Sequence, residues 1–187
     1  MIYHSVAQIF EAIDETRERL YRTVEGLSET EAAHRASPEG WSTIEILEHL
    51  TIMEERLTRL MGVMLAKAEA AGLRSGEGYV QIRPFSLDKF IEQSAAEKYN
   101  APEQVRPTGS ATLPELLARI RRSREELKSQ RARMEVIELS SMTYAHPAFG
   151  PLDFYQWLAL IGMHEERHLR QIETVLSSRA AGAGGQA

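Results

Sequence analysis

Cysteine is absent from the 187 residues. Disulfide frameworks, zinc ribbons and thiol nucleophiles are therefore excluded. Strand signals are nearly missing as well, since no alternating run rich in Val, Ile and Thr stands out. No apolar stretch approaches the ~18 residues of a membrane helix. Met1 to Phe10 lacks the basic start and long apolar core of a signal peptide. Basic charge is not in excess either: 22 Lys and Arg stand against 27 Asp and Glu, a net charge of −5. That balance argues against a protein that grips a phosphate backbone. The expectation is a cytoplasmic enzyme or binding protein, with no nucleic-acid and no membrane partner.

What is present is helical. With 43% hydrophobic and 26% charged residues, the composition is that of a soluble globular protein. The length suits one domain, read here as residues 1–179. Four long stretches carry apolar residues at helical spacing. The first spans Ser5 to Gly26, with Val6, Ile9, Ile13, Leu20 and Val24 on one side. The second runs from Ser42 to about Gly72. Ser42 with Glu45 has the spacing of a capping box, and Trp41 with Ile46 that of a hydrophobic staple. The third runs from Thr112 to about Met134, with Thr112 and Glu115 as its box and Pro114 in the first turn. The fourth runs from Asp153 to about Ser178, where Asp153 with Gln156 and Leu152 with Trp157 repeat both devices.

The connections differ in length. Leu27 to Trp41 holds a short helix capped by Ser28 and Glu31. Residues 73–111 form a long link rich in Gly and Pro, with a short helix over Leu87 to Lys98. Such a link frees the third helix from lying antiparallel beside the second. The expected fold is all-α: a four-helix bundle with a long crossover connection between helices 2 and 3. Residues 180–187 contain only Ala, Gly and Gln and read as a disordered C-terminal tail. The arginine-rich stretch Arg119 to Arg133 spreads its charge around a helix and reads as a solvated face.

Three histidines stand where apolar residues belong. The second helix has a stripe of Ile46, His49, Met53, Leu57, Leu60 and Met64. The fourth has Phe154, Trp157, Ile161, His164, His168, Ile172 and Val175. Residues four apart on a helix lie about 6 Å apart at Cβ, so His164 and His168 can reach one cation. An imidazole from the facing helix makes three protein ligands, the pattern of a catalytic zinc site with an open position. Taken singly, each histidine is explained as well by a core hydrogen bond to a carbonyl or carboxylate. Taken together they need three sets of partners, because each unsatisfied buried polar group costs about 1–3 kcal/mol. One metal satisfies all three.

The other histidines carry less. His4 and His34 fall near helix ends and are expected to be exposed. His146 lies in a rigid turn, Tyr144-Ala145-His146-Pro147-Ala148-Phe149-Gly150-Pro151. It reads either as a loop residue satisfied locally or as a catalytic group at the mouth of the site. Glu48, Glu165 and Glu166 flank the metal candidates, but neighbours on a helix diverge by about 100° and cannot all face inward. Most of them read as solvated or as partners of Arg56, Arg167 and Arg170. One could orient a histidine ring.

At these residues the chain resembles the DinB/YfiT-like superfamily. The features are Gly40-Trp41-Ser42, Glu48-His49-Leu50, His146 through Leu152, and His164-Glu165-Glu166-Arg167-His168-Leu169-Arg170-Gln171-Ile172. Asn100-Ala101-Pro102 and Pro107, ahead of Leu113-Pro114-Glu115-Leu116-Leu117, fit too. The resemblance implies a bundle with an unusual crossover and a divalent metal, zinc or nickel, on His49, His164 and His168. It also implies a homodimer. The better understood members transfer or rearrange groups with low-molecular-weight thiols such as bacillithiol and mycothiol, and others are described as metal-dependent hydrolases. The expected function is a metal-dependent transferase that activates a small thiol. The alternatives are a hydrolase that activates water and a non-enzymatic metal-binding or interaction bundle.

Overall fold

The structure, a computed structural model, describes residues 1–74, 78–96 and 101–184. In chain order the elements are β1 (Ile2–Tyr3), α1 (Val6–Val24), α2 (Glu29–Ala33), α3 (Thr43–Ala70), β2 (Phe85–Ser86) and α4 (Asp88–Ala96). A 3-10 turn (Glu103–Val105) follows, then α5 (Leu113–Ser129), α6 (Arg131–Met134), β3 (Thr143–His146), β4 (Gly150–Asp153) and α7 (Phe154–Gly184). The four long helices α1, α3, α5 and α7 form the bundle.

Helix starts follow the capping chemistry. Ser42 Oγ accepts from the Glu45 N–H at 3.4 Å while Glu45 Oε2 takes the Ser42 N–H at 2.8 Å. Asp153 Oδ1 accepts from the Gln156 N–H at 2.8 Å, and Gln156 Oε1 takes the Asp153 N–H at 3.0 Å. Glu115 Oε2 takes the Thr112 N–H at 2.9 Å. At the other end of α3, Gly72 has φ +71°, a left-handed turn that L side chains resist.

Helices α1 and α7 pack together, and α3 packs on both α5 and α7. The ion pairs Glu55–Arg119 and Glu69–Arg133 climb both chains in the same sense, so α3 and α5 run parallel. The long link makes that possible, as its length predicts. Helices α3 and α7 run antiparallel, because His49 meets His164 while Leu57 and Ile161 lie together further along. Two apolar clusters fill the interior. One contains Ile9, Ile13, Met61, Leu127, Phe154 and Leu158. The other contains Leu20, Ile46, Leu116, Ile120, Leu169 and Ile172.

Several expectations need correction. The fourth helix continues past Ser178 through Gly184, because alanine is the strongest helix former. The expected disordered tail is therefore helical over residues 180–184, and residues 185–187 lie outside the described residues. The third helix is broken at Gln130 into α5 and α6. The link helix spans Asp88–Ala96, and its expected end at Lys98 lies outside the described residues. Two short antiparallel pairs, β1 with β2 and β3 with β4, were not expected. The turn around His146 is the second of these hairpins. Gly150, at φ +74°, lets its chain reverse. The basic stretch is less solvated than expected. Arg119, Arg121 and Arg133 are held by Glu55, Glu25 and Glu69, and Arg124 is buried. No helix among the described residues is long and apolar enough to cross a membrane.

Candidate metal centre

His49 lies on α3, and His164 and His168 lie on α7. Each helix presents its core stripe to the other, so the three imidazoles meet between them. One ring nitrogen from each lies within 4.8 Å of the others. His49 Nε2 and His164 Nε2 are 3.3 Å apart. Two nitrogens bound tetrahedrally to one zinc at about 2.0–2.1 Å would stand about 3.3–3.4 Å apart. The rings of His49 and His168 are 4.9 Å apart at their centroids, and those of His164 and His168 4.6 Å. His49 is 4% and His168 9% exposed, while His164 is half-buried and gives the cluster its access to solvent.

The outer nitrogens fix which atoms face inward. His49 Nδ1–H donates to the Val105 carbonyl at 2.7 Å. His168 Nδ1–H donates to Gln171 Oε1 at 2.9 Å. A neutral imidazole with its proton on Nδ1 carries its lone pair on Nε2. All three rings are held towards the neutral form. Burial pushes each pKa down, and neighbouring imidazoles and the Arg167 charge add to it for His164 and His168. His168 falls to about 4. For His49, burial outweighs the bond to Val105, which works upward. Neutral rings with free Nε2 lone pairs are what a divalent metal requires. Among the described residues no other His, Asp or Glu joins the cluster. Three imidazoles therefore fit a divalent cation and leave it an open position.

The long link supports this arrangement. Glu48 accepts from the Thr108 N–H at 3.0 Å, the Thr108 hydroxyl at 2.8 Å and the Gly109 N–H at 2.8 Å. These bonds hold the link against α3 and set the Val105 carbonyl on His49. Trp41 covers the other side, with its ring 5.1 Å from His49 and 6.4 Å from His168.

His146 is satisfied locally. Its Nδ1 accepts from the Ala148 N–H at 3.1 Å and the Phe149 N–H at 3.2 Å. Its ring stacks on Phe149 at 4.4 Å. It stands near enough for its charge to bear on His164. His4 is exposed, but His34 is half-buried and bonded to Ser178 Oγ at 3.3 Å.

The flanking carboxylates depart from expectation. Glu166 pairs with Arg19 and Arg170 as a solvated residue would. Glu48 and Glu165 are instead buried, and among the described residues neither hydrogen-bonds a histidine ring. Glu165 belongs to a charged layer that the sequence reading missed. Arg17 of α1, Glu54 of α3, Arg124 of α5 and Glu165 of α7 come together, none more than 3% exposed. Arg17 forks onto Glu165 at 2.6 and 3.1 Å and also pairs with Glu54. Arg124 reaches Glu54 at 2.9 Å and Glu165 at 3.2 Å. The guanidiniums also donate to the Ile120 and Ile13 carbonyls at 3.2 and 2.9 Å. Burial alone would lower the Arg17 pKa, but Glu165 and Glu54 more than reverse this and raise it. A signal was available. Arg17 fills the gap between Ile13 and Leu20 in the first helix's stripe, and Arg124 the gap between Ile120 and Leu127.

Comparisons with known proteins agree with this fold. The chain is 25% identical over 167 residues to the uncharacterized protein YuaE of Bacillus subtilis, covering 87% of this chain and 93% of YuaE. Its fold is similar to TT2238, described as a four-helix bundle protein, with a TM-score of 0.60 and 16% identity. That likeness covers 91% of this chain and 99% of TT2238. It is also similar to YfiT from Bacillus subtilis, described as a probable metal-dependent hydrolase with an unusual four-helix bundle topology. There the TM-score is 0.51 and the identity 17%, over 94% of this chain and 87% of YfiT. The DinB superfamily profile matches residues 12–172, and with most of its length so matched the chain belongs to the DinB superfamily.

Proposed function

We propose that this protein is a cytoplasmic metal-dependent enzyme in which His49, His164 and His168 hold one divalent cation, zinc or nickel. Its substrate is a small molecule, and a low-molecular-weight thiol is the preferred nucleophile, transferred to an electrophile. The observation that carries this reading is the convergence of three ring nitrogens within 4.8 Å, two of them on rings whose other nitrogen is already bonded. A divalent cation at that point supplies charge that deprotonates a coordinating thiol or lowers the pKa of water.

The residues of this chain favour the thiol. Glu48 accepts three hydrogen bonds from the link, and Glu165 is held by two arginines. Neither is free to act as a general base towards water. A thiol acidic enough to ionise on binding needs no such base. With no cysteine in the chain, that thiol comes from outside. His146 keeps only Nε2 for contact with substrate, since Nδ1 accepts two backbone N–H groups. It is the candidate for proton transfer at the mouth. The homodimer implied by the family resemblance is retained in this proposal.

Hydrolysis is the second reading, favoured by the likeness to YfiT with its description as a probable metal-dependent hydrolase. A closed structural site is disfavoured, because no fourth His, Asp or Glu ligand joins the cluster among the described residues. The test is a paired assay of metal-loaded protein and a His164→Ala variant. One arm offers bacillithiol or mycothiol with a halogenated electrophile and reads the thioether by mass spectrometry. The other offers ester and amide substrates. Adduct formation that the variant loses supports the thiol reading. Hydrolysis without adducts replaces it, and a loaded protein active in neither arm is a metal-binding bundle.

A further inference from the structure

Two of the three histidines have their outer nitrogens tied, and the third does not. His49 uses the Val105 carbonyl and His168 uses Gln171. His164 sets its Nε2 3.3 Å from His49 Nε2, lone pair to lone pair as at a metal site, and among the described residues no acceptor is found for its Nδ1. A ligating imidazole ordinarily donates its second N–H to a carboxylate, carbonyl or water, which sets its tautomer and strengthens it as a ligand.

Beside His164 lies a cavity of about 10 Å³. Its polar lining is His164, Arg17, Glu54 and Glu165, and its apolar lining is Leu50, Met53, Leu57 and Ile161. That volume is close to what roughly one water needs, provided two to four polar partners surround it. The carboxylates have room for it. Among the described residues Glu54 Oε1 accepts only from Arg124 Nε, at 2.9 Å, and Glu165 Oε1 only from Arg17 Nε, at 2.6 Å. A carboxylate oxygen has two acceptor sites, so each Oε1 retains one.

We propose that the buried Arg17–Glu54–Arg124–Glu165 layer supports the metal centre, through one water that accepts from His164 Nδ1–H and donates to a carboxylate of the layer. This inference rests on the metal reading above and adds the positioning residues Glu54 and Glu165 to it. The water fixes the proton on Nδ1, which turns the Nε2 lone pair towards His49 and His168. The layer draws one residue from each long helix, so the whole bundle holds the third ligand in place.

The test measures zinc affinity of the full chain by chelator competition, with the absorption bands of the cobalt-loaded form as a second readout. Glu54→Gln and Glu165→Gln are compared with Thr58→Val. Thr58 is buried on α3 and bonded to Ser123 at 3.3 Å, away from the cavity wall. The two Gln variants are expected to lose roughly 10-fold or more in zinc affinity and to shift the cobalt bands. Thr58→Val, equally a core change, leaves both readouts in place. Folded Gln variants with affinity within about twofold of wild type and unchanged bands overturn the proposal. If wild type itself binds no metal, the metal reading and this inference fall together. If wild type binds and the Gln variants bind equally, only this inference falls. Should the Gln variants not fold, a crystal structure of the metal-loaded wild type decides. A water about 3 Å from both His164 Nδ1 and an Oε1 of the layer supports the proposal. A dry cavity, or Nδ1–H directed to another acceptor, overturns it.

Discussion

Two groups of polar side chains interrupt the core of this bundle, and they do so differently. In the charged layer, two guanidiniums and two carboxylates balance, and every charge meets an opposite one inside the protein. In the histidine cluster burial holds the rings towards the neutral form, and one ring nitrogen of each turns to a common point. The layer lies between the two apolar clusters and draws on all four long helices. The cluster lies between two helices, and His164 is half-buried. Polar groups whose partners all come from the fold define the fold. Polar groups that share an unfilled valence direction are kept for something that arrives from outside.

Breaking the layer should have the largest effect. Arg17→Ala leaves Glu54 and Glu165 buried with one guanidinium between them, and removal of one partner of a buried pair costs about 3–5 kcal/mol. Urea denaturation of the metal-free variant against wild type measures it. A loss below 1 kcal/mol, on the scale of an exposed pair, would show that the layer is hydrated.

The cluster should instead reveal itself in pH dependence. His168 has its pKa lowered to about 4 in the folded state, against an ordinary 6.5. Between those values the unfolded chain binds the proton and the folded chain does not. Stability of the metal-free protein is therefore full above 6.5 and falls as the pH drops through this window, by on the order of 1–3 kcal/mol from this residue. Thermal unfolding of wild type and His168→Asn at pH 7.5 and pH 5 checks the sign: the variant should show the flatter profile.

A smaller effect sharpens the contrast further. Gln171→Leu removes the acceptor of His168 Nδ1–H but touches no charge of the layer. Metal affinity should fall about 10-fold, while urea stability without metal changes little. Equal losses in both would place Gln171 with the structural group.

How much of this is legible in the chain depends on which residues break the pattern. The four helices were readable because their starts carry cap pairs such as Ser42 with Glu45 and Asp153 with Gln156. The three histidines were readable because imidazoles on an apolar stripe are conspicuous. Arg17 and Arg124 stand on stripes in the same way, yet each resembles an ordinary solvated charge, and Glu54 and Glu165 follow the stripe residues Met53 and His164 by one position. Only their meeting in space, across four helices, reveals them. The Val105 carbonyl was beyond reach, since no side chain announces where a backbone oxygen of a long link will settle. The short hairpin at His146 was hidden by its Pro and Gly content, which reads as a turn.

On the proposed reading the histidine cluster exists to hold a metal. Titration of metal-free protein with zinc and nickel, followed by elemental analysis after desalting, tests it most directly beside His164→Ala. About one divalent ion per chain is expected in wild type and none retained in the variant. Wild type that retains no metal under either loading, or a variant that retains it equally, would mean three core histidines satisfied by the protein alone.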